Sequence, residues 1–147
     1  MQRLAGRRTY LDANVFIYFL ERYPPMSGVV NRLFLMVANR DIEAVTSEIA
    51  VAEFMVGPYR AGTPDVIARA RTFFKASGAV TIVGHGEPDF DLAARIRADR
   101  GLPLIDALHV ATALNAGCSV LVTSDQRMPS MPGLEVVRLQ ELQQLDG

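Results

Sequence analysis

Cysteine, lysine and histidine are scarce in this 147-residue sequence, and long apolar runs are missing. The single cysteine, Cys118, cannot form an intrachain disulfide, which is typical of a reducing compartment, so we expect a cytoplasmic protein. No apolar run reaches the roughly 18 to 20 residues of a membrane span. The basic segment from Met1 to Arg8 lacks a following apolar stretch and a small-residue cleavage site, so no signal peptide is predicted.

An excess of one charge is also missing, because 15 basic residues face 16 acidic ones. Half of the residues are hydrophobic and 21% are charged, a balance that excludes disorder caused by low hydrophobicity. If four acids held a metal, the remaining surface would carry 15 positive and 12 negative charges. Fourteen of the basic residues are arginine, which suits bidentate phosphate contacts, although GC-rich coding also produces this preference.

Strand-like and helix-like segments alternate along the chain. Strands are predicted over 8–12, 43–46, 79–83, 119–123 and 135–139. Helices are predicted over 14–21, 28–40, 48–56, 64–76, 89–100 and 103–116, with a short polar helix at the end. Pro24-Pro25 is expected to follow the first helix, and Gly57-Pro58 to end the third. The alternation predicts a three-layer α/β/α sandwich with a central parallel sheet of about five strands, in one domain spanning 1–147.

Four acidic residues fall where such a sheet brings ligands together. Asp12 ends the first predicted strand, and Asp125 follows the fourth by two residues. Ligands bind outside the carboxyl ends of parallel strands, where the strand order reverses. Asp106 opens an apolar helix, and Glu53 is expected on the inward apolar stripe formed with Ile49, Ala52 and Val56. A carboxylate on an inward stripe is costly unless something compensates its charge.

Each acid also has an ordinary explanation. Asp12 and Asp125 are typical turn residues at strand ends, Asp106 fits the start of a helix, and Glu53 fits a marginal ion pair. Their convergence at one sheet edge is what favours a cation, because four carboxylates repel one another without one. No Cys or His pairing has metal-ligand spacing, so the donors select Mg²⁺ or Mn²⁺ over zinc. Such a site suits phosphodiester hydrolysis by a metal-activated water, and phosphatase chemistry as well.

Four segments match a known family. Residues 10–18, Tyr-Leu-Asp-Ala-Asn-Val-Phe-Ile-Tyr, resemble the opening motif of the PIN-domain ribonucleases. Residues 47–54, Ser-Glu-Ile-Ala-Val-Ala-Glu-Phe, resemble the second acidic motif, and residues 104–113, Leu-Ile-Asp-Ala-Leu-His-Val-Ala-Thr-Ala, resemble the third. Residues 123–128, Thr-Ser-Asp-Gln-Arg-Met, resemble the fourth. Each motif is short, but all four occur in order over about residues 9–139.

The compact size resembles the VapC toxins of toxin–antitoxin pairs. That resemblance implies a Mg²⁺- or Mn²⁺-dependent endoribonuclease that cuts RNA, forms a homodimer and is inhibited by a VapB-like antitoxin. It places the catalytic acids at Asp12, Glu53, Asp106 and Asp125, and the metal ligands at Asp12, Asp106 and Asp125. Asn14 and Thr123 match supporting polar positions. Ala13 stands where the family often has threonine, which removes a hydroxyl and none of the acids.

Two alternatives remain open. A haloacid-dehalogenase-like phosphatase needs a second aspartate where this chain has Asn14, and a later lysine, whereas Lys75 lies in a predicted helix. A binding module on a PIN scaffold would recognise RNA or protein without cutting.

Several other polar and aromatic residues receive ordinary structural interpretations. His109 is interpreted as a polar residue at the edge of a packed helix, and His85 as a turn residue. Arg127 is interpreted as a surface charge near the site. The remaining interpretations are a solvated helix face for Arg95, Arg97 and Arg100, and core or dimer-interface positions for Phe16, Phe19 and Phe34.

Overall fold

The computed structural model describes residues 1–76 and 78–145 as a five-stranded parallel sheet with helices on both faces. The strands are β1 (Arg8–Leu11), β2 (Glu43–Ser47), β3 (Val80–Val83), β4 (Val120–Thr123) and β5 (Glu135–Arg138). The helices are α1 (Ala13–Glu21), α2 (Pro24–Ala38), α3 (Glu48–Ala61), α4 (Pro64–Ala76), α5 (Glu87–Arg100), α6 (Leu104–Asn115) and α7 (Leu139–Leu145). The predicted α/β/α sandwich is confirmed. The predicted domain extent of 1–147 includes residues 77, 146 and 147, which lie outside the described residues.

The sheet has the strand order β3-β2-β1-β4-β5, and every neighbouring pair is parallel. The chain moves outward from β1 through β2 and β3, and then crosses back to place β4 on the other side of β1. The strand order therefore reverses between β1 and β4. In open parallel sheets this reversal leaves a crevice beyond the carboxyl ends of the two central strands.

Side chains alternate between two cores, one on each face of the sheet. Leu11 and Val122 point into the larger core, which α1, α2, α3, α4 and α7 cover. Tyr10 and Leu121 point into the second core, which α5 and α6 cover. The larger core is rich in phenylalanine, and Phe16 is fully buried there, with Phe19 and Phe34 packed against it. The predicted core position of Phe16 is thus confirmed.

Helix α3 continues beyond the point where Gly57-Pro58 was expected to end it, so that prediction is wrong. Pro58 lies inside the helix and is buried, and the helix ends at Gly62, which adopts φ 72°. The Gly62 N–H donates to the Pro58 carbonyl 3.1 Å away, which satisfies one of the terminal carbonyls. Burial of Phe54, Met55 and Pro58 stabilises the extra turn more than the missing proline N–H destabilises it.

Helix α2 begins at Pro24, four residues earlier than predicted. Pro24 and Pro25 occupy its first turn, where N–H groups have no partner within the helix and the fixed φ of proline fits. The proline pair therefore starts a helix in addition to following one. Helix α5 also begins early, at Glu87, because the Asp89 carboxylate accepts a hydrogen bond from the Gly86 N–H at 2.9 Å.

Cys118 is buried just before β4, as predicted. Burial raises the pKa of its thiol to about 11, so the group stays protonated at neutral pH. None of the described helices is both long enough and apolar enough to cross a membrane.

Candidate active site

Two of the four predicted acids lie at the crevice where the strand order reverses. Asp12 directly follows β1 and is the N-cap residue of α1. Asp125 follows β4 by two residues. The remaining two, Glu53 and Asp106, are carried by α3 and α6. Which of the four perform catalysis stays a prediction at this stage.

The Asp12 carboxylate is 7% exposed and is held by three donors. Oδ1 accepts a hydrogen bond from the Ala13 N–H at 2.7 Å. Oδ2 accepts one from the Thr123 hydroxyl at 2.8 Å and one from the Asn14 amide at 3.3 Å. The orientation of the carboxylate is therefore fixed before any ligand binds, and Asn14 and Thr123 have the supporting role expected of them.

Asp125 is tied to the same group of hydrogen bonds through its backbone. Its N–H donates to the Thr123 hydroxyl oxygen at 3.0 Å. Burial by itself would raise the pKa of the Asp125 carboxyl, but hydrogen bonds from the Arg127 side chain and backbone outweigh it and lower the pKa. Arg127 is exposed, as predicted, and its guanidinium pairs with Asp125 at 3.3 Å.

Asp106 lies half-buried in the first turn of α6. The N-cap position of this helix is Pro103, which has no side chain able to cap it. Burial raises the pKa of the Asp106 carboxyl, and the negative charges of Asp125 and Asp12 raise it further. The three aspartates therefore lie close enough to repel one another. This repulsion is what a bound cation would relieve.

Glu53 does not lie on an inward apolar stripe, so that expectation is wrong. The buried residues of α3 are Ala50, Phe54, Met55 and Pro58, and 42% of the Glu53 side chain is exposed. The expected stripe is instead the face that α3 turns toward the crevice and solvent. Ala and Val are frequent on both faces of this helix, so periodicity alone selected the wrong one.

His109 is the residue that the sequence analysis misplaced. It is 1% exposed in the middle of α6, and its Nε2 is hydrogen-bonded to Glu53 Oε1 and lies 3.6 Å from Asp12 Oδ1. It is not at the edge of the packed helix, because α6 is buried continuously from Ala107 to Ala113. A helix without a polar face leaves a histidine no solvent-exposed position, and that pattern could have identified it.

A buried chain of hydrogen bonds holds His109. Its Nδ1 lies 2.7 Å from the Tyr10 hydroxyl, and the same hydroxyl lies 2.6 Å from Ser47 Oγ. Ser47 in turn caps α3 by accepting the Ala50 N–H at 3.3 Å. The chain therefore connects the start of α3, through β1 and α6, to Glu53 in the middle of the same helix.

The charge of His109 follows from its neighbours. Burial by itself would lower the pKa of the imidazole, but the hydrogen bond to Glu53 and the negative charges of Asp12, Glu53 and Asp106 outweigh it and raise the pKa. Burial also raises the pKa of the Tyr10 phenol, which keeps it a neutral hydrogen-bonding group.

Among the described residues, one set of side chains has the spacing of a metal site. One ligand atom from each of Asp12, Glu53 and His109 lies within 4.8 Å of the others. Asp106 and Asp125 do not belong to this set, although both interact electrostatically with it or with each other. The set adds an imidazole to the predicted oxygen donors, and the predicted ligands Asp12, Asp106 and Asp125 stay a prediction.

His85 lies in the turn between β3 and α5, as predicted, and also makes two hydrogen bonds. Its Nε2 accepts the Ile49 N–H at 3.1 Å, and its Nδ1 lies 2.9 Å from the Thr112 hydroxyl. It thereby satisfies a donor at the first turn of α3 and connects that turn to α6.

A model of the PIN-domain family matches residues 9–134. This span is most of the chain, which therefore belongs to the PIN-domain family. Among curated proteins, no sequence matches this chain closely enough to count as a relative.

Several solved structures share the fold. The chain is similar to FitAcB from Neisseria gonorrhoeae, with a TM-score of 0.70 and 21% identity, over 90% of this chain and 98% of the other. It is similar to VapBC2 from Rickettsia felis bound to a promoter DNA fragment, with a TM-score of 0.67 and 19% identity, over 88% and 97%. It is also similar to VapC20 of Mycobacterium tuberculosis, described as a sarcin–ricin loop cleaving toxin, with a TM-score of 0.67 and 13% identity, over 82% and 92%.

Replacing Tyr10 by phenylalanine tests the buried hydrogen-bond chain. Tyr10→Phe removes the hydroxyl that contacts both His109 and Ser47, and leaves buried polar atoms without a partner. We expect the free energy of unfolding to fall by about 1–3 kcal/mol, measured by urea denaturation followed by circular dichroism. Tyr59→Phe is the matched control, because Tyr59 is exposed and its hydroxyl contacts Arg71 at the surface. Equal stability of Tyr10→Phe and wild type would contradict this account.

Replacing Asp106 by asparagine tests the repulsion among the aspartates. Because its pKa is raised, the ionised Asp106 carboxylate destabilises the folded state at neutral pH. In the presence of a chelator, Asp106→Asn should therefore have a higher melting temperature than wild type. This difference should vanish as the pH falls below the ordinary carboxyl range, where Asp106 is neutral in both states. The surface variant Asp91→Asn, which removes an exposed ion pair with Arg95, should show no such gain. A lower melting temperature for Asp106→Asn would refute the assignment.

Proposed function

We propose that this chain is a divalent-metal-dependent endoribonuclease of the VapC toxin type. One observation carries the proposal: the Asp12 carboxylate, fixed by three donors, faces Glu53 and repels Asp106 at the crevice between β1 and β4. Burying negative charge beside negative charge is unfavourable unless a cation binds there. Membership in the PIN-domain family supports the same site and the nuclease chemistry.

The side chains present fit a divalent cation. Asp12, Asp106 and Asp125 would hold it, with Glu53 and His109 close to the same point. Carboxylate oxygens suit Mg²⁺, and a neighbouring imidazole also suits Mn²⁺. When bound, such an ion supplies a water of lowered pKa and neutralises charge on a phosphodiester.

The protein's own contribution is to hold these groups in place. Thr123 and Asn14 orient the Asp12 carboxylate, and the Thr123 hydroxyl also accepts the Asp125 N–H. His109 holds the carboxylate of Glu53 on the side of α3 that faces Asp12. Arg127 is an exposed cation beside Asp125, where it would attract the phosphate backbone of RNA.

Cleavage of structured and single-stranded RNA with Mg²⁺, Mn²⁺ or chelator tests the proposal. We expect wild type to cut RNA with either metal and not with chelator, and Asp12→Asn to show no cleavage. Thr123→Val keeps the shape of Thr123 but removes the hydroxyl bound to Asp12. It should weaken Mn²⁺ binding about 10- to 100-fold, measured by calorimetry without RNA.

Asp91→Asn serves as the control for loss of one acidic charge, because Asp91 lies exposed on α5. It should cut RNA and bind Mn²⁺ like wild type. A generic phosphomonoester is included in every arm. Turnover of that ester without RNA cleavage would establish a phosphatase instead, and metal-independent RNA binding without cleavage would establish a binding module. Equal cleavage by Asp12→Asn would refute the proposed site.

We further propose that the chain forms a homodimer and is the toxin partner of a VapB-like antitoxin. Solved structures of the same fold include VapBC complexes from Rickettsia felis and Salmonella typhimurium, which supports this assignment. Expression in a bacterial host should stop growth for wild type and not for Asp12→Asn. Coexpression of the small protein encoded beside the gene should restore growth and elute with the chain in size-exclusion chromatography. Growth arrest by both variants would argue against a toxin that acts by cutting RNA.

A further inference from the structure

Two tyrosines form a stacked pair at the end of α1. The ring centroids of Tyr18 and Tyr23 lie 4.9 Å apart, and the ring planes differ by 23°. Tyr18 is half-buried, whereas Tyr23 is 42% exposed. One face of the Tyr23 ring is therefore covered by Tyr18, and the exposed area is available to another flat group.

The backbone around the pair explains how it is held. Helix α1 ends with Arg22 in the left-handed conformation at φ 52°. The Arg22 N–H donates to the Phe19 carbonyl at 3.3 Å, and the Tyr23 N–H donates to the Tyr18 carbonyl at 3.1 Å. This arrangement brings the side chains of Tyr18 and Tyr23 together at the helix terminus.

Arg22 occupies a position where glycine is the usual residue. A side chain with positive φ is strained, at a cost of order 1 kcal/mol. Within the described residues no hydrogen bond or ion pair to another side chain accounts for the Arg22 guanidinium. The strain is thus unexplained by the fold, and the guanidinium points to a ligand that the protein itself does not supply.

The tyrosine pair borders a groove that adjoins the acidic cluster. The groove has a volume of about 680 Å³, and Arg22 is the only charged residue among the described residues that line it. Tyr18 and Asn31 also line it. The Tyr18 hydroxyl accepts a hydrogen bond from Ser124 Oγ at 3.4 Å, and the Ser124 N–H donates to Asn14, which contacts Asp12. The groove therefore begins one residue away from Asp125.

We propose that this groove is a subsite for single-stranded RNA, in which an unpaired base stacks on Tyr23 and a phosphate binds Arg22. The proposal rests on the nuclease function proposed above and places a nucleotide that flanks the bond to be cut. Stacking on an aromatic ring tolerates every base, whereas a paired base has no free face to offer. A planar guanidinium is suited to bidentate phosphate binding.

The test measures binding of two labelled oligomers by fluorescence anisotropy. One is single-stranded oligoadenylate, and the other is a phosphoribose oligomer of equal length without bases. Ca²⁺ replaces Mg²⁺, and a gel verifies that the RNA remains uncut. The variants are Tyr23→Ala, Tyr23→Phe and Arg22→Gly, with Tyr59→Ala as the control because Tyr59 is an exposed tyrosine outside the groove.

Tyr23→Ala should bind oligoadenylate roughly ten-fold more weakly than wild type and bind the base-free oligomer equally well. Tyr23→Phe should bind like wild type, because stacking does not need the hydroxyl. Arg22→Gly should bind both oligomers several-fold more weakly, with a salt dependence smaller by about 0.7 in the slope of log affinity against log salt. Its melting temperature should not fall, because glycine relieves the strain, so any loss of binding would not be due to unfolding.

Wild-type affinity in both Tyr23→Ala and Arg22→Gly would overturn the proposal and leave the groove to a protein partner. An equal loss by Tyr23→Ala on both oligomers would overturn the stacking. These results are distinguishable from failure of the proposed function: a wild type that neither binds nor cuts any RNA removes both proposals. A wild type that cuts RNA beside variants that bind and cut equally well removes the subsite alone.

Discussion

The buried carboxylate of Asp12 is the constraint on which the rest of the site depends. It lies where the strand order reverses, with Asp106 and Asp125 near enough to oppose its charge. Three hydrogen bonds keep it ionised and oriented, from groups on α1 and at the end of β4. Helix α6 contributes both Asp106, which opposes this charge, and His109, which balances it. The site is thus a balance between repulsion and a small number of fixed donors.

The polar chain from Ser47 through Tyr10 and His109 to Glu53 gives the site its rigidity. It passes from the N-cap of α3 through the central strand to α6, and so connects three elements that otherwise contact through apolar packing. Because it is buried, each member needs a partner, and the loss of one leaves the others unsatisfied. Glu53 can therefore remain partly exposed to solvent and still have a defined position beside Asp12.

Local sequence signals predicted the elements that have one dominant cause. The N-cap Ser47, the strand-end Asp12 and the alternation of strands and helices all correspond to the structure. Proline signals were less reliable, because Pro58 is accommodated by burial of its helix face, and Pro24 starts a helix by a rule that equally well ends one. The inward face of α3 was wrong for a related reason: small apolar residues on both faces make the periodicity ambiguous, and only packing decides.

The sequence by itself determined the family, the α/β/α architecture and the four acids, because short motifs and alternating patterns depend on neighbouring residues. Only the tertiary structure decided which side chains meet. Tyr10, His109 and Glu53 are separated by 43 or more residues, and their contact follows from the order of the strands. The same holds for Tyr18 and Ser124, which lie 106 residues apart. The physical reason is that hydrogen bonds and charge interactions act over a few ångströms in space, and distance along the chain does not specify that separation.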